Sequence, residues 1–174
     1  GWGVGACVGA GRLMIARWRL PVRKQESIPL AFVLGAAAVS LLTFCMAALH
    51  VVHKGTLLTA ALALIAAGWR ARFDAPSFEP SRARWVLLLA APAGLWTFLH
   101  ALAPEMSADG MAYHLGLTAR YYREHGFPFI PDNMYANLSQ GMEMLFLFAF
   151  PFGRHSGAAL THWSFGVALC WLMF

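Results

Sequence analysis

Residues 30–52 contain no Asp, Glu, Lys or Arg. A bilayer hydrocarbon core about 30 Å thick is crossed by roughly 20 apolar residues in a helix, so this run is long enough to span one. With no water there to satisfy the backbone, such a run is driven to close its own hydrogen bonds as a helix. Composition extends the argument to the whole chain: it is 59% hydrophobic and 12% charged, against roughly 25% charged residues in a soluble domain. A soluble domain, a disordered tail and a disulfide scaffold are therefore all poor fits, and the reading is a polytopic membrane protein. The net charge of +5 is read as a record of topology, with no nucleic-acid partner expected.

Further apolar runs lie at 1–11, 56–69, 85–103, 144–152 and 157–174. Ser27 and Pro29 are start signals for the 30–52 helix, and His53, Lys54 and Gly55 break it from the next. The fold class expected is all-α, a bundle of about six spans whose first and last are truncated, with an interfacial amphipathic helix in an outside loop. The parts are spans one to four in 1–103, an extracytoplasmic loop at 104–140, and spans five and six in 141–174. The first run has its basic residues after it, the wrong order for a signal peptide. The missing initiator Met and the apolar end suggest a processed or partial segment.

Basic residues choose the orientation. Arg12, Arg17, Arg19, Arg23, Lys24, Arg70, Arg72, Arg82, Arg84 and Arg154 make ten of the thirteen Lys and Arg, and on a six-span count they occupy alternate connections. The positive-inside rule places 12–26, 70–84 and 153–156 in the cytoplasm and 104–140 outside. The location expected is a bacterial inner membrane. Cys7, Cys45 and Cys170 show no ligand spacing and read as small buried thiols. His50, His53, His100, His155 and His162 read as solvated or capping residues near helix ends, with haem or pigment ligation the alternative.

Five of the eight acidic residues, Glu105, Asp109, Glu124, Asp132 and Glu143, lie in or beside the outside loop. His114, His125, Arg120, Arg123 and all four tyrosines join them there. Composition alone allows a solvated loop with a surface helix. Apolar residues at 111, 115, 118/119 and 122 give a helical period that leaves His114, Arg120, Tyr121 and Glu124 on the other face. Asp109 is placed to cap that helix, or, partly desolvated at the boundary, to act as a base. Glu143 opens an apolar segment, where an ionisable group needs a partner, a cavity or a path to water. The sequon at Asn137 is read as coincidence.

The stretch SADGMAYHLGLTARYYREHGF followed by NMYANLSQGMEMLFL, within residues 95–150, resembles the first large outside loop of bacterial GT-C membrane glycosyltransferases, which use polyprenyl-phosphate-linked sugars. The resemblance is carried by Asp109, Tyr113, His114, Leu115, the segment from Arg120 to Gly126, Asn137, and Glu143 to Leu145. It implies that Asp109 is a base towards the acceptor hydroxyl or helps to hold a divalent metal, and that Glu143 orients the acceptor. It also implies that Tyr113, His114, Arg120, Arg123 and Asn137 bind substrate, the arginines facing the leaving phosphate. Members of the family have more spans than this chain, so it is expected to be an N-terminal part or a shortened relative. The alternative is a non-catalytic transmembrane subunit of a respiratory or photosynthetic complex. Membrane lipids, a lipid-linked donor and other membrane subunits are the partners expected.

Overall fold

The structure, a computed structural model, describes residues 1–71 and 80–173, apart from the side chains of 80–87. It is all-helical, with no strand among the described residues. Four long helices come first: α1 (Trp2–Trp18), α2 (Ser27–Ala48), α3 (Lys54–Arg70) and α4 (Pro80–Leu102). A π turn at Gly110–His114 leads into α5 (Leu115–Arg123), and α6 (Gly141–Met173) closes the chain. By length and hydropathy, one helix among the described residues, Lys24–Ala48, is long and apolar enough to cross a membrane, and Leu88–Leu102 is a shorter apolar helix.

The first apolar run was expected to end before Arg12, yet α1 continues through Arg17. It can do so because the Arg12 guanidinium reaches the Ala71 carbonyl at 3.4 Å. Arg19 then stops it in the left-handed conformation, φ 50°, with the Leu20 N–H closing on the Ile15 carbonyl, a common helix ending.

Small residues let α1 sit directly against its neighbours. A Cβ added at Gly35 of α2 would land on the Cys7 carbonyl, one at Gly11 on the Ala31 carbonyl, and one at Gly68 of α3 on Gly9. Backbones in van der Waals contact through glycine are the packing that apolar helices use where hydrophobicity itself gives no preference between neighbour and solvent. These pairs fix directions. Residues 7 and 11 of α1 meet 35 and 31 of α2 in antiparallel order, whereas 9 and 12 meet 68 and 71 of α3 in parallel order.

The largest departure from expectation is α6. Two spans joined by a cytoplasmic turn were expected, but α6 has two arms meeting at Arg154 (φ 48°, ψ −132°). Pro151 removes a helix donor just before the break. In the second arm Ser156 donates to the Leu102 carbonyl at the end of α4, Trp163 donates to the Gly94 carbonyl, and Trp171 donates to the Gln25 carbonyl. That arm therefore runs antiparallel to α4 and α2, and the 153–156 bend lies at the same end of the bundle as the start of the 104–140 loop. The first arm does not run the length of the bundle. It lies beside α5 in the same direction, with Leu115 against Phe146 and Tyr122 against Phe150. The six-helix alternation thus fails at its last step, and Arg154 leaves the end that holds the other basic clusters.

Of the cysteines, Cys7 is buried as expected, but Cys45 and Cys170 are exposed. Of the basic residues, Arg72 and the side chains of Arg82 and Arg84 fall outside what the structure describes.

Candidate functional site

The loop between α4 and α5 begins with Glu105, whose Oε1 accepts the N–H and the hydroxyl of Ser107 at 2.8 and 2.5 Å. The Ser107 hydroxyl also accepts the Gly110 N–H at 3.0 Å. Ser107 therefore caps this helix, and the cap expected at Asp109 is corrected. Asp109 already has helical φ/ψ and makes no side-chain cap bond, which leaves its carboxylate exposed in the first turn. Its neighbours Ser107 and Glu105 provide the termination chemistry instead.

The π turn changes which residues share a face. Leu115 N–H bonds to Gly110 five residues back, so one extra residue enters the turn and rotates what precedes it by about 100°. Met111, expected on the apolar face, is consequently exposed, while Leu115, Leu117, Thr118 and Tyr121 are buried. Tyr121, expected on the polar face, is 2% exposed. Gly116 accommodates the widened turn, since a Cβ there would meet the Met111 carbonyl.

This rotation brings His114 to Glu143. Its Nδ1 lies 2.6 Å from Glu143 Oε1, with the carboxylate side chain 12% exposed and the imidazole 43% exposed. An ionised carboxylate accepting from Nδ1–H selects the tautomer whose Nε2 has a free lone pair. The pair lines a cavity of about 110 Å³ with Tyr113, Tyr135, Ser139 and Gln140. Tyr113 stacks on Tyr135, ring centroids 4.3 Å apart and planes within 18°. Burial raises the Tyr113 phenol above its ordinary value, and the negative charges of Asp109 and Glu143 add to the shift.

Gln140 holds the floor. Its Nε2 donates to the Tyr121 hydroxyl, the Tyr135 carbonyl and the Ala136 carbonyl. Burial raises the Tyr121 phenol, and the bond from Gln140 partly offsets this. Asn133 supports the rim: its side-chain oxygen accepts the Tyr135 N–H, and its amide donates to the Ala112 carbonyl.

Of the expected residues, Tyr113, His114 and Glu143 line the cavity, and Asp109 stands one turn before Tyr113. Arg120 and Arg123 lie further along α5 and do not line it, and Asn137 is exposed at the end of the 3₁₀ turn Met134–Asn137. Sequence reasoning counted Tyr135 among the loop tyrosines without giving it a role and singled out neither Gln140 nor Asn133. Their one signal was proximity to Glu143 in a polar stretch. Among the described residues no group of three or more His, Cys, Asp or Glu is placed to hold a metal ion. Comparison with protein-family models, with curated proteins and with solved structures finds no match to this chain.

Proposed function

We propose that this chain is a membrane-embedded helical bundle whose loop end transfers a sugar from a lipid-phosphate donor to a hydroxyl acceptor. The observation that carries the reading is the Glu143–His114 pair at the wall of a small cavity that Tyr113, Tyr135 and Gln140 also line, one turn from the Asp109 carboxylate. In such a transfer the acceptor oxygen bonds to the anomeric carbon, the bond from that carbon to the phosphate oxygen breaks, and the phosphate leaves with the electron pair. His114 Nε2, held in its basic tautomer by Glu143, takes the acceptor proton. Glu143 stays bonded to Nδ1–H as this happens, and the Tyr113–Tyr135 stack offers a flat apolar face to a sugar ring. Small-residue packing of α1 against α2 and α3 supports the membrane setting.

The test is sugar transfer from a polyprenyl-phosphate donor in membranes containing the protein. His114→Ala and Glu143→Gln are expected to lower turnover by about 10² to 10⁴ fold, the range for losing a general base. Unchanged turnover in both variants overturns the assignment.

A second reading, a non-catalytic subunit of a larger membrane complex, is favoured by Met106 and Phe129. They are 87% and 88% exposed in the loop end, where another subunit would cover them. An inactive wild type recovered in a stable assembly selects this reading.

A further inference from the structure

A second cavity, of about 490 Å³, opens between the end of α4, the 104–107 connection, the start of α5 and the bend of α6. It shares no lining residue with the His114–Glu143 cavity. Its size is that of a pocket for a small organic molecule. The Ser156 bond to Leu102 ties the α6 and α4 walls together at 3.3 Å.

Four polar side chains line this space: His100, Glu105, Ser107 and His155. The Glu105 carboxylate is fixed by both donors of Ser107, which hold its acid below the usual carboxylate range, with the attraction of His155 a smaller contribution. No Lys or Arg forms an ion pair with it among the described residues. A primary ammonium offers such an anchored carboxylate both charge and hydrogen-bond donors. The imidazoles of His100 and His155 can donate N–H groups to an anion. His155 enters the cavity because Arg154 breaks α6 immediately before it, and His100 is held edge-on against Trp96 at 4.7 Å. Met106, Leu115 and Ala159 make the rest of the wall apolar.

We propose that this cavity binds a phosphoethanolamine head group, its ammonium on Glu105, its phosphodiester facing His100 and His155, and its apolar portion against Met106, Leu115 and Ala159. The inference does not depend on the transferase reading. Both the membrane lipid and free phosphoethanolamine carry this chemistry, and the experiment separates them.

The purified full chain in neutral detergent is offered an equimolar mixture of phosphatidylethanolamine, phosphatidylglycerol and phosphatidylcholine with identical acyl chains, and retained lipid is read by native mass spectrometry. Phosphatidylethanolamine is expected to be retained about tenfold or more over both others, since neither of them offers a primary ammonium to the carboxylate. Glu105→Gln is expected to abolish the preference and His114→Ala to keep it. Because Glu105→Gln also weakens the Ser107 turn, Ala159→Leu, which narrows the cavity without touching that turn, is the second variant and should likewise abolish retention. Displacement by free phosphoethanolamine identifies the head group as sufficient; a preference that survives its addition identifies the intact lipid. Equal retention of all three lipids by the wild type, or an unchanged preference in both cavity variants, overturns the proposal.

Discussion

Asp109 and Tyr113 show how much one carboxylate does at close range. They sit four residues apart, Asp109 just before the π turn and Tyr113 within it, and the phenol is raised first by burial and then by the Asp109 charge. Removing that charge makes the phenolate easier to form, so Asp109→Asn is expected to lower the Tyr113 pKa without returning it to the ordinary value. Ultraviolet titration of the phenolate band, with Tyr113→Phe to assign it, makes the measurement; an unmoved or raised value refutes it. Glu105 gives the opposite sign. Its acid is lowered by the Ser107 hydroxyl and then by the Ser107 N–H. Its stabilisation of the 105–110 turn is therefore complete above the ordinary carboxylate pKa and lost as pH falls through the lowered value. Protection of the Gly110 amide, whose N–H is capped by Ser107, measured against an unstructured amide at the same pH, should fall in that acidic window and show no such fall in Glu105→Gln. Of these residues, Asp109, Tyr113, His114 and Glu143 could be picked out as types that carry chemistry in one crowded segment. Ser107 as the cap could not, because Ser107 and Asp109 are both good caps and the choice rests on where the backbone turns.

Helices whose apolar run has its own punctuation were readable. The His53–Lys54–Gly55 break sits where α3 begins, and Thr56 secures it by accepting the His53 N–H at 3.1 Å and donating to the Val51 carbonyl at 2.6 Å. The π turn was not readable, because periodicity assumes 3.6 residues per turn and one inserted residue moves Met111 out of register with the residues of α5. Gly116 is the residue that answers to this insertion. Gly116→Ala places a Cβ against the Met111 carbonyl and should relax the turn towards a regular helix, pulling His114 away from Glu143. The expected result is a loss of about 1–3 kcal/mol in unfolding free energy, as for overpacked cores, together with loss of the His114–Glu143 hydrogen bond in an imidazole nitrogen spectrum. A wild-type spectrum would show that Gly116 has no part in the turn. The same closeness argument applies at Gly35, where Gly35→Leu would drive α1 and α2 apart at Cys7.

The arrangement of the whole molecule follows from which helix ends meet, and here the charge pattern and the packing give different answers at one position. Arg12 to Lys24 and Arg70 cluster at the end where Trp171 meets Gln25. Arg154 alone breaks the pattern, because Ser156 is bonded to the end of α4 and the bend of α6 therefore sits with the 104–140 loop. A single arginine is a weak orienting charge beside nine on the other connections, so placing Arg154 with Lys54, Arg120 and Arg123 leaves the overall bias intact. Hydropathy could not reveal this, since residues 144–152 are equally apolar whether they cross a membrane or are buried under α5, where Met144 to Phe150 are in fact enclosed. On the proposed membrane reading, a cysteine at Gly153 must be labelled by an impermeant reagent from the same side as one at Asp132, and one at Gln25 from the opposite side. The measurement uses single-cysteine variants in sealed vesicles, on a background with Cys7, Cys45 and Cys170 replaced by alanine. Labelling of Gly153→Cys together with Gln25→Cys would restore the two-span reading of α6 and would also separate His155 from Glu105, removing the second cavity. Labelling with Asp132→Cys keeps the bend, both cavities and the loop acids at one end of the bundle, within reach of a single lipid leaflet.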